Sequence, residues 1–156
     1  MKVFIASDHG GFNLKAQILN TDLDLQNSNQ YKFVDLGPFE LNEDDDYPHF
    51  AEKLVMEMQK EPESLGILIC RSGIGMSIAA NKFKGIYAAL AIREEHAKKA
   101  REHNNANILC LDSDYEDTQT HINIVKAFLS SEFEGWETRH GRRIRQIQSF
   151  EDKNFK

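Results

Sequence analysis

The chain has 156 residues, 40% hydrophobic and 28% charged, and its 25 acidic and 19 basic side chains give a formal net charge of −6. This length and mixture favour one domain with an adequate core, hold no apolar run long enough to span a bilayer, and argue against nucleic acid or an anionic membrane as partner. Asp8 and His9 interrupt the first apolar run too early for a signal peptide, and two cysteines, Cys70 and Cys110, are too few for a disulfide framework. A cytoplasmic location is therefore expected.

Residues 2–7, KVFIAS, read as a short buried strand running into the turn Asp8-His9-Gly10-Gly11. Phe12, Ala16, Leu19 and Leu23 then recur at helical spacing, which predicts an amphipathic helix with these residues as its buried stripe. A second strand covers 31–37, closed by Gly37-Pro38. After the acidic stretch ELNEDDDYPH at 40–49, Pro48 suits an opening helix position, and Ala51, Leu54, Val55 and Met58 mark one face of a helix over 48–60.

LGILIC at 65–70 is a third strand and GIYAALAI at 85–92 a fourth, with GMSIAANKF between them as a short helix. A charged, alanine-rich helix covers 93–103, and NILCL at 107–111 is a fifth strand. Ile122, Val125 and Leu129 give another helical face, and Ile144 and Ile147 with neighbouring arginines suggest a C-terminal helix. Strands alternating with helices imply βαβ crossovers, and strands without polar alternation imply a parallel sheet covered on both faces. The expected fold class is α/β, a doubly wound sheet forming one domain over 1–156. Ligands in such sheets bind beyond the carboxyl ends of the strands, which singles out loops 7–11, 70–77 and 111–115.

Four clusters have chemistry to offer, each with a plainer alternative. Asp8 and His9 at a strand end can bind a polar ligand or move protons, or Asp8 simply caps the next helix. Cys70 precedes Gly73-Ile74-Gly75, where backbone N–H groups ahead of a helix make an anion site and a thiol beside it a usable base; the alternative is a small buried hydrophobe. Cys110, lacking such glycines, is expected in the core. His103 and Asn104 in REHNNAN can act as acid/base and hydrogen-bond partner, or merely end a helix. Arg139 and Arg143, four apart with His140 between, make a fork for phosphate or carboxylate, or a solvated basic face that pairs with the acidic loop. Asp44–Asp46 with His49 lacks metal-ligand spacing and reads as a solvated loop, so no metal is expected.

Together the order SDHGG, DYPH, C-x-[ST]-G-I-G-M-S-I-A-A-N-K, REHN-x-A-N and RH-x-x-R resembles the ribose-5-phosphate isomerase B family, which shares its fold with the galactose-6-phosphate isomerase subunits. The resemblance runs nearly end to end. It implies a Rossmann-like, five-stranded, three-layer αβα subunit whose C-terminal helix reaches a partner, in a homodimer or tetramer with active sites built from both chains. It also implies cofactor-free and metal-free aldose–ketose isomerisation of a phosphorylated sugar through an enediolate.

On that resemblance Cys70 matches the base that moves the proton between C1 and C2. Ser72 stands where the family usually has Thr, and the amides around Gly73, Ile74 and Gly75 match the enediolate hole. His103 matches the acid/base of ring opening, and Asn104 a sugar-hydroxyl contact from the partner chain. Asp8 and His9 match ring and phosphate contacts; Arg139 and Arg143, with His140 between them, match the phosphate clamp. Two departures stand out. Arg71 replaces a usual Gly, and LDSDYED after the fifth strand lacks a usual phosphate-binding Arg. Arg71 is therefore expected to face the phosphate or the dimer partner. Ribose 5-phosphate is the leading substrate, with a hexose 6-phosphate of allose or galactose type, or a non-catalytic sugar-phosphate-binding module, as alternatives.

Overall fold

The computed structural model describes residues 1–23 and 31–155. Its strands are β1 (Lys2–Ser7), β2 (Lys32–Asp35), β3 (Leu65–Cys70), β4 (Ala88–Leu90) and β5 (Ile108–Asp112), in the spatial order β2-β1-β3-β5-β4. Every neighbouring pair is parallel, as near-continuous apolar strands require when both faces are covered. The expected five-stranded, doubly wound sheet is thus present. β2 lies on one side of β1 and β3 on the other, so the chain reverses its winding between β1 and β3. The carboxyl ends of those two strands carry Asp8-His9 and Cys70.

Among the described residues, six helices pack around the sheet: α1 (Phe12–Asn20), α2 (Tyr47–Lys60), α3 (Ile74–Ala80), α4 (Glu94–Asn104), α5 (Thr118–Leu129) and α6 (Arg139–Asn154). Leu14, Ile18, Ala97, Ala100, Ile124 and Phe128 from α1, α4 and α5 meet Val3, Ile5, Ile67 and Leu109 on one face. Ala51, Leu54, Val55, Met76 and Ala80 from α2 and α3 meet Phe4, Leu68 and Cys110 on the other. These are the three αβα layers. Cys110 is fully buried, and burial pushes its thiol pKa up.

The α1 stripe differs from the expected one. Leu14, Lys15 and Ile18 face inward, Phe12, Ala16 and Leu19 are half-buried on the flank, and Leu23 lies beyond the helix end. The rotation follows from Lys15, only 3% exposed, whose ammonium meets both carboxylate oxygens of Asp35 at 2.7 and 2.8 Å and the Pro38 carbonyl at 2.9 Å. A pattern that treats lysine as outward-facing misses a buried, fully paired one. β4 is also shorter than the expected 85–92.

Candidate active site

The three carboxyl-end loops converge as the fold class requires. The Asp8 amide donates to the Ile69 carbonyl at 3.2 Å, Ser113 Oγ to the Gly10 carbonyl at 2.9 Å, and the Ser113 amide to the Arg71 carbonyl at 3.1 Å. Gly11 lies so close to β3 that a Cβ would stand 2.6 Å from the Ile69 carbonyl oxygen, which explains a residue without side chain there.

Cys70 ends β3, 5% exposed. Gly73 then turns the chain with φ +68, and its missing side chain leaves room for Leu90 Cδ1, 2.5 Å from where a Cβ would be. The first backbone bond closing α3 runs from the Ser77 amide to the Gly73 carbonyl, so the amides of Ile74, Gly75 and Met76 precede the helical ladder. Ser72 Oγ accepts from the Ile74 amide at a loose 3.4 Å. Gly75 seats the Tyr47 ring, whose Cζ would be 2.8 Å from an added Cβ. A buried thiol beside amides that no helical carbonyl satisfies suits proton abstraction next to a developing oxyanion.

Asp8 is nearly buried, and desolvation raises its carboxyl pKa although the Gly11 amide, 3.1 Å from Oδ1, pulls the other way. The capping alternative for Asp8 therefore describes one real contact without excluding a ligand role. His9 pairs with Asp45, whose Oδ1 accepts from the His9 amide at 2.9 Å and lies 2.8 Å from Nδ1. That carboxylate raises the imidazole pKa. The solvated-loop expectation for 44–46 fails at Asp45, whose side chain is 10% exposed. Nothing in a run of acids marks which one folds inward, and the only hint was its neighbourhood to Tyr47-Pro48.

Arg71 lays its stem over Gly10 and points its guanidinium toward Asp114 at 3.4 Å, 68% exposed. The unusual cation and the acidic turn after β5 are thus partners. An exposed pair of this kind contributes about 0–1 kcal/mol, so the guanidinium is readily exchanged to another anion.

The remaining expected residues sit elsewhere. A helix joining two parallel strands begins at the carboxyl edge of the sheet and ends at the amino edge, so the last turn of α4 places His103 and Asn104 beside the start of β5. β3 alone spans roughly 17 Å between the two edges. His103 therefore does not meet Cys70 within one chain. It stacks instead on His140, with ring centroids 4.1 Å apart and planes 10° from parallel. Glu134 Oε1 lies 3.3 Å from His103 Nε2, Glu134 Oε2 lies 3.7 Å from His140 Nε2, and Arg139 Nε donates to that same His140 nitrogen at 3.2 Å.

Burial, and then the charge of His103, lowers the His140 pKa. His140 is 8% exposed, with its ring stacked on that of His103. The Glu134 amide, bonded to the Glu102 carbonyl at 3.0 Å, ties this cluster together, and no sequence signal had marked Glu134.

His103, Glu134 and His140 are the one donor set near metal-ligand spacing among the described residues. Parallel rings direct their lone pairs side by side rather than at one ion, and arginines surround the set, which suits an anion better than a cation. Arg139 and Arg143 form no ion pair with a carboxylate among the described residues, so the basic face is not neutralised by the acidic loop.

A family model described as Ribose/Galactose Isomerase matches residues 3–147. A probable ribose-5-phosphate isomerase B of Mycoplasma pneumoniae is 45% identical over 149 residues, covering 96% of this chain and 94% of that protein. The crystal structure of ribose-5-phosphate isomerase B from Mycoplasma genitalium with bound ribulose 5-phosphate superposes with a TM-score of 0.87 at 43% identity, covering 98% of this chain and 97% of that one. The type B enzyme of Trypanosoma cruzi gives 0.89 at 35% identity, covering 99% and 100%.

Proposed function

The chain belongs to the ribose/galactose isomerase family, and on that premise we propose that it interconverts ribose 5-phosphate and ribulose 5-phosphate through an enediolate. The observation that carries the reading is the thiol of Cys70 at a strand end, followed at once by amides that no helical carbonyl satisfies. Cys70 takes the proton from C2 and returns it to C1, a role contributing about 10²–10⁴ in rate. The amides of Gly73, Ile74 and Gly75 and the hydroxyl of Ser72 hold the oxyanion as it develops, each good donor adding about 10²–10³. Asp8 and His9 bind the sugar beside them.

The acid/base of ring opening, His103, stands at the opposite sheet edge with Asn104, Arg139 and Arg143. A complete site therefore needs two copies of the chain, the carboxyl edge of one facing the amino edge of the other. Supporting this, Ile74 and Ile78 on α3 and Phe150 on α6 are 54%, 57% and 60% exposed, apolar surface that a partner would cover. α6 then reaches across to the partner, with Arg139 and Arg143 gripping the phosphate there. Arg71 leaves Asp114 for the same phosphate or for the partner. Neither step requires a cofactor or metal.

An isomerase assay over ribose 5-phosphate and six-carbon aldose 6-phosphates tests the substrate, with kcat/KM expected highest for the pentose. Turnover only on a hexose phosphate would overturn the pentose assignment. Binding without exchange of the C2 proton into deuterated water would overturn catalysis itself. Arg71→Gly should raise KM for the sugar phosphate with kcat little changed; an unaltered KM would leave Arg71 with no part in recognition.

A further inference from the structure

The carboxyl edge also holds a buried pair that the proposed reaction does not use. Asp112 ends β5 in register with Cys70, and its side chain and that of His121 on the first turn of α5 are each 1% exposed. His121 Nδ1 lies 2.9 Å from the Asp117 carbonyl oxygen, which can only accept, so Nδ1 carries a hydrogen. Nε2 then faces Asp112 Oδ1 at 3.4 Å. Asp112 Oδ2 and His121 Nε2 find no hydrogen-bond partner. Buried polar atoms without a partner are few in native folds, and such a pair calls for an explanation.

From this pair the turn after β5 fans out to both halves of the thiol site. Asp112 Oδ1 accepts from the Tyr115 amide at 3.3 Å, which shapes the turn. Within the turn, the amides of Ser113 and Asp114 both donate to the Arg71 carbonyl, at 3.1 and 3.2 Å. Ser113 Oγ donates to the Gly10 carbonyl at 2.9 Å. The residue next to the thiol and the loop carrying Asp8 and His9 are thus tied to one turn, and Asp112 with His121 is its anchor.

We propose that the Asp112–His121 pair is a positioning element for the isomerase site. By holding the β5–α5 turn it sets the Arg71 carbonyl, and through it the Cys70 thiol and the amides beyond, against the loop of Asp8 and His9. The proposal rests on Cys70 as the reacting base.

Two variants test it. Asp112→Asn keeps the shape of the anchor but not its charge, while Ser113→Ala removes, from a half-buried position, the link to Gly10 and a long 3.5 Å contact to Asp114 Oδ1. For each, kcat and KM on ribose 5-phosphate, the thermal midpoint and the rate of iodoacetamide alkylation at Cys70 are measured, the last by peptide mass spectrometry with buried Cys110 as reference. Misplacement of the base predicts that Asp112→Asn lowers kcat about ten- to a hundredfold, with KM changed less than about threefold. Ser113→Ala should act in the same direction by about three- to tenfold at an unchanged thermal midpoint, and both should alter Cys70 alkylation.

A lowered midpoint with kcat per folded molecule and alkylation both at wild-type values would overturn the proposal, because a merely stabilising pair acts that way. Should Asp112→Asn fail to fold, Ser113→Ala decides by the same two readouts. The reading of Cys70 fails separately: full turnover in Cys70→Ala removes the base, while alkylation in the Asp112 and Ser113 variants still reports whether the pair positions the thiol.

Discussion

The two edges of the sheet are built on different principles. At the carboxyl edge, Asp8, Cys70 and Gly73 are held by backbone: amide–carbonyl bonds between loops, a left-handed glycine, and strand ends in register. At the amino edge, His103, His140 and Arg139 on the ends of two helices and Glu134 on the loop between α5 and α6 meet chiefly through side chains. The first edge is rigid and stands complete in one chain. The second is open, and its Arg139 and Arg143 form no ion pair with a carboxylate among the described residues. On the proposed reading, the contrast means that one edge performs the chemistry of the bond being remade, whereas the other presents groups to a neighbour.

The sharpest way to break this contrast is subunit complementation. Cys70→Ala and His103→Ala should each lower kcat by about 10²–10⁴. Mixed and allowed to exchange subunits, the two inactive proteins should recover about a quarter of wild-type activity, since half the dimers are hybrid and each hybrid has one intact site. No recovery after proven exchange would mean that both edges do not serve one site.

Next in size is Arg143→Ala, which removes a charge-assisted contact and should raise KM about ten- to a hundredfold with a smaller effect on kcat. Steady-state kinetics with the phosphorylated and unphosphorylated sugar check it, because only the former should feel the change. Gly73→Ala tests the rigid edge. A side chain at φ +68 costs about 1–2 kcal/mol and would press on Leu90, so chemical denaturation should show at least that loss, with lowered kcat.

Asp45→Asn gives the smallest and most specific effect. The Asp45 carboxylate raises the His9 pKa, so the substitution should move the imidazole NMR titration to lower pH. The sign follows from linkage: a raised histidine contributes stability that is fully present below its unfolded value of about 6.5 and lost as pH rises through the folded value. Wild type should therefore lose its advantage over the variant in that window and nowhere below it.

Much of this was legible without coordinates. Periodicity sufficed for the sheet because buried parallel strands are continuous apolar runs, and for α2 because its four core residues keep strict helical spacing. The cradle was legible because Cys70 to Gly75 is contiguous, and a turn of that kind depends on local backbone alone. The α1 stripe was misjudged because Lys15 is turned inward by Asp35, twenty positions away. Asp45 and Glu134 were missed for a similar reason, since an acid in a loop looks alike whether it meets a histidine or water.

By itself the amino-acid sequence determined the layered α/β architecture and the thiol beside its glycine turn. Only the tertiary structure decided the pairings: His9 with Asp45, Arg71 with Asp114, His103 with His140 and Glu134, Asp112 with His121. Local backbone preference and periodicity are written in neighbouring residues. The choice of one partner among several chemically equal ones is made by packing, which brings together groups far apart in the chain.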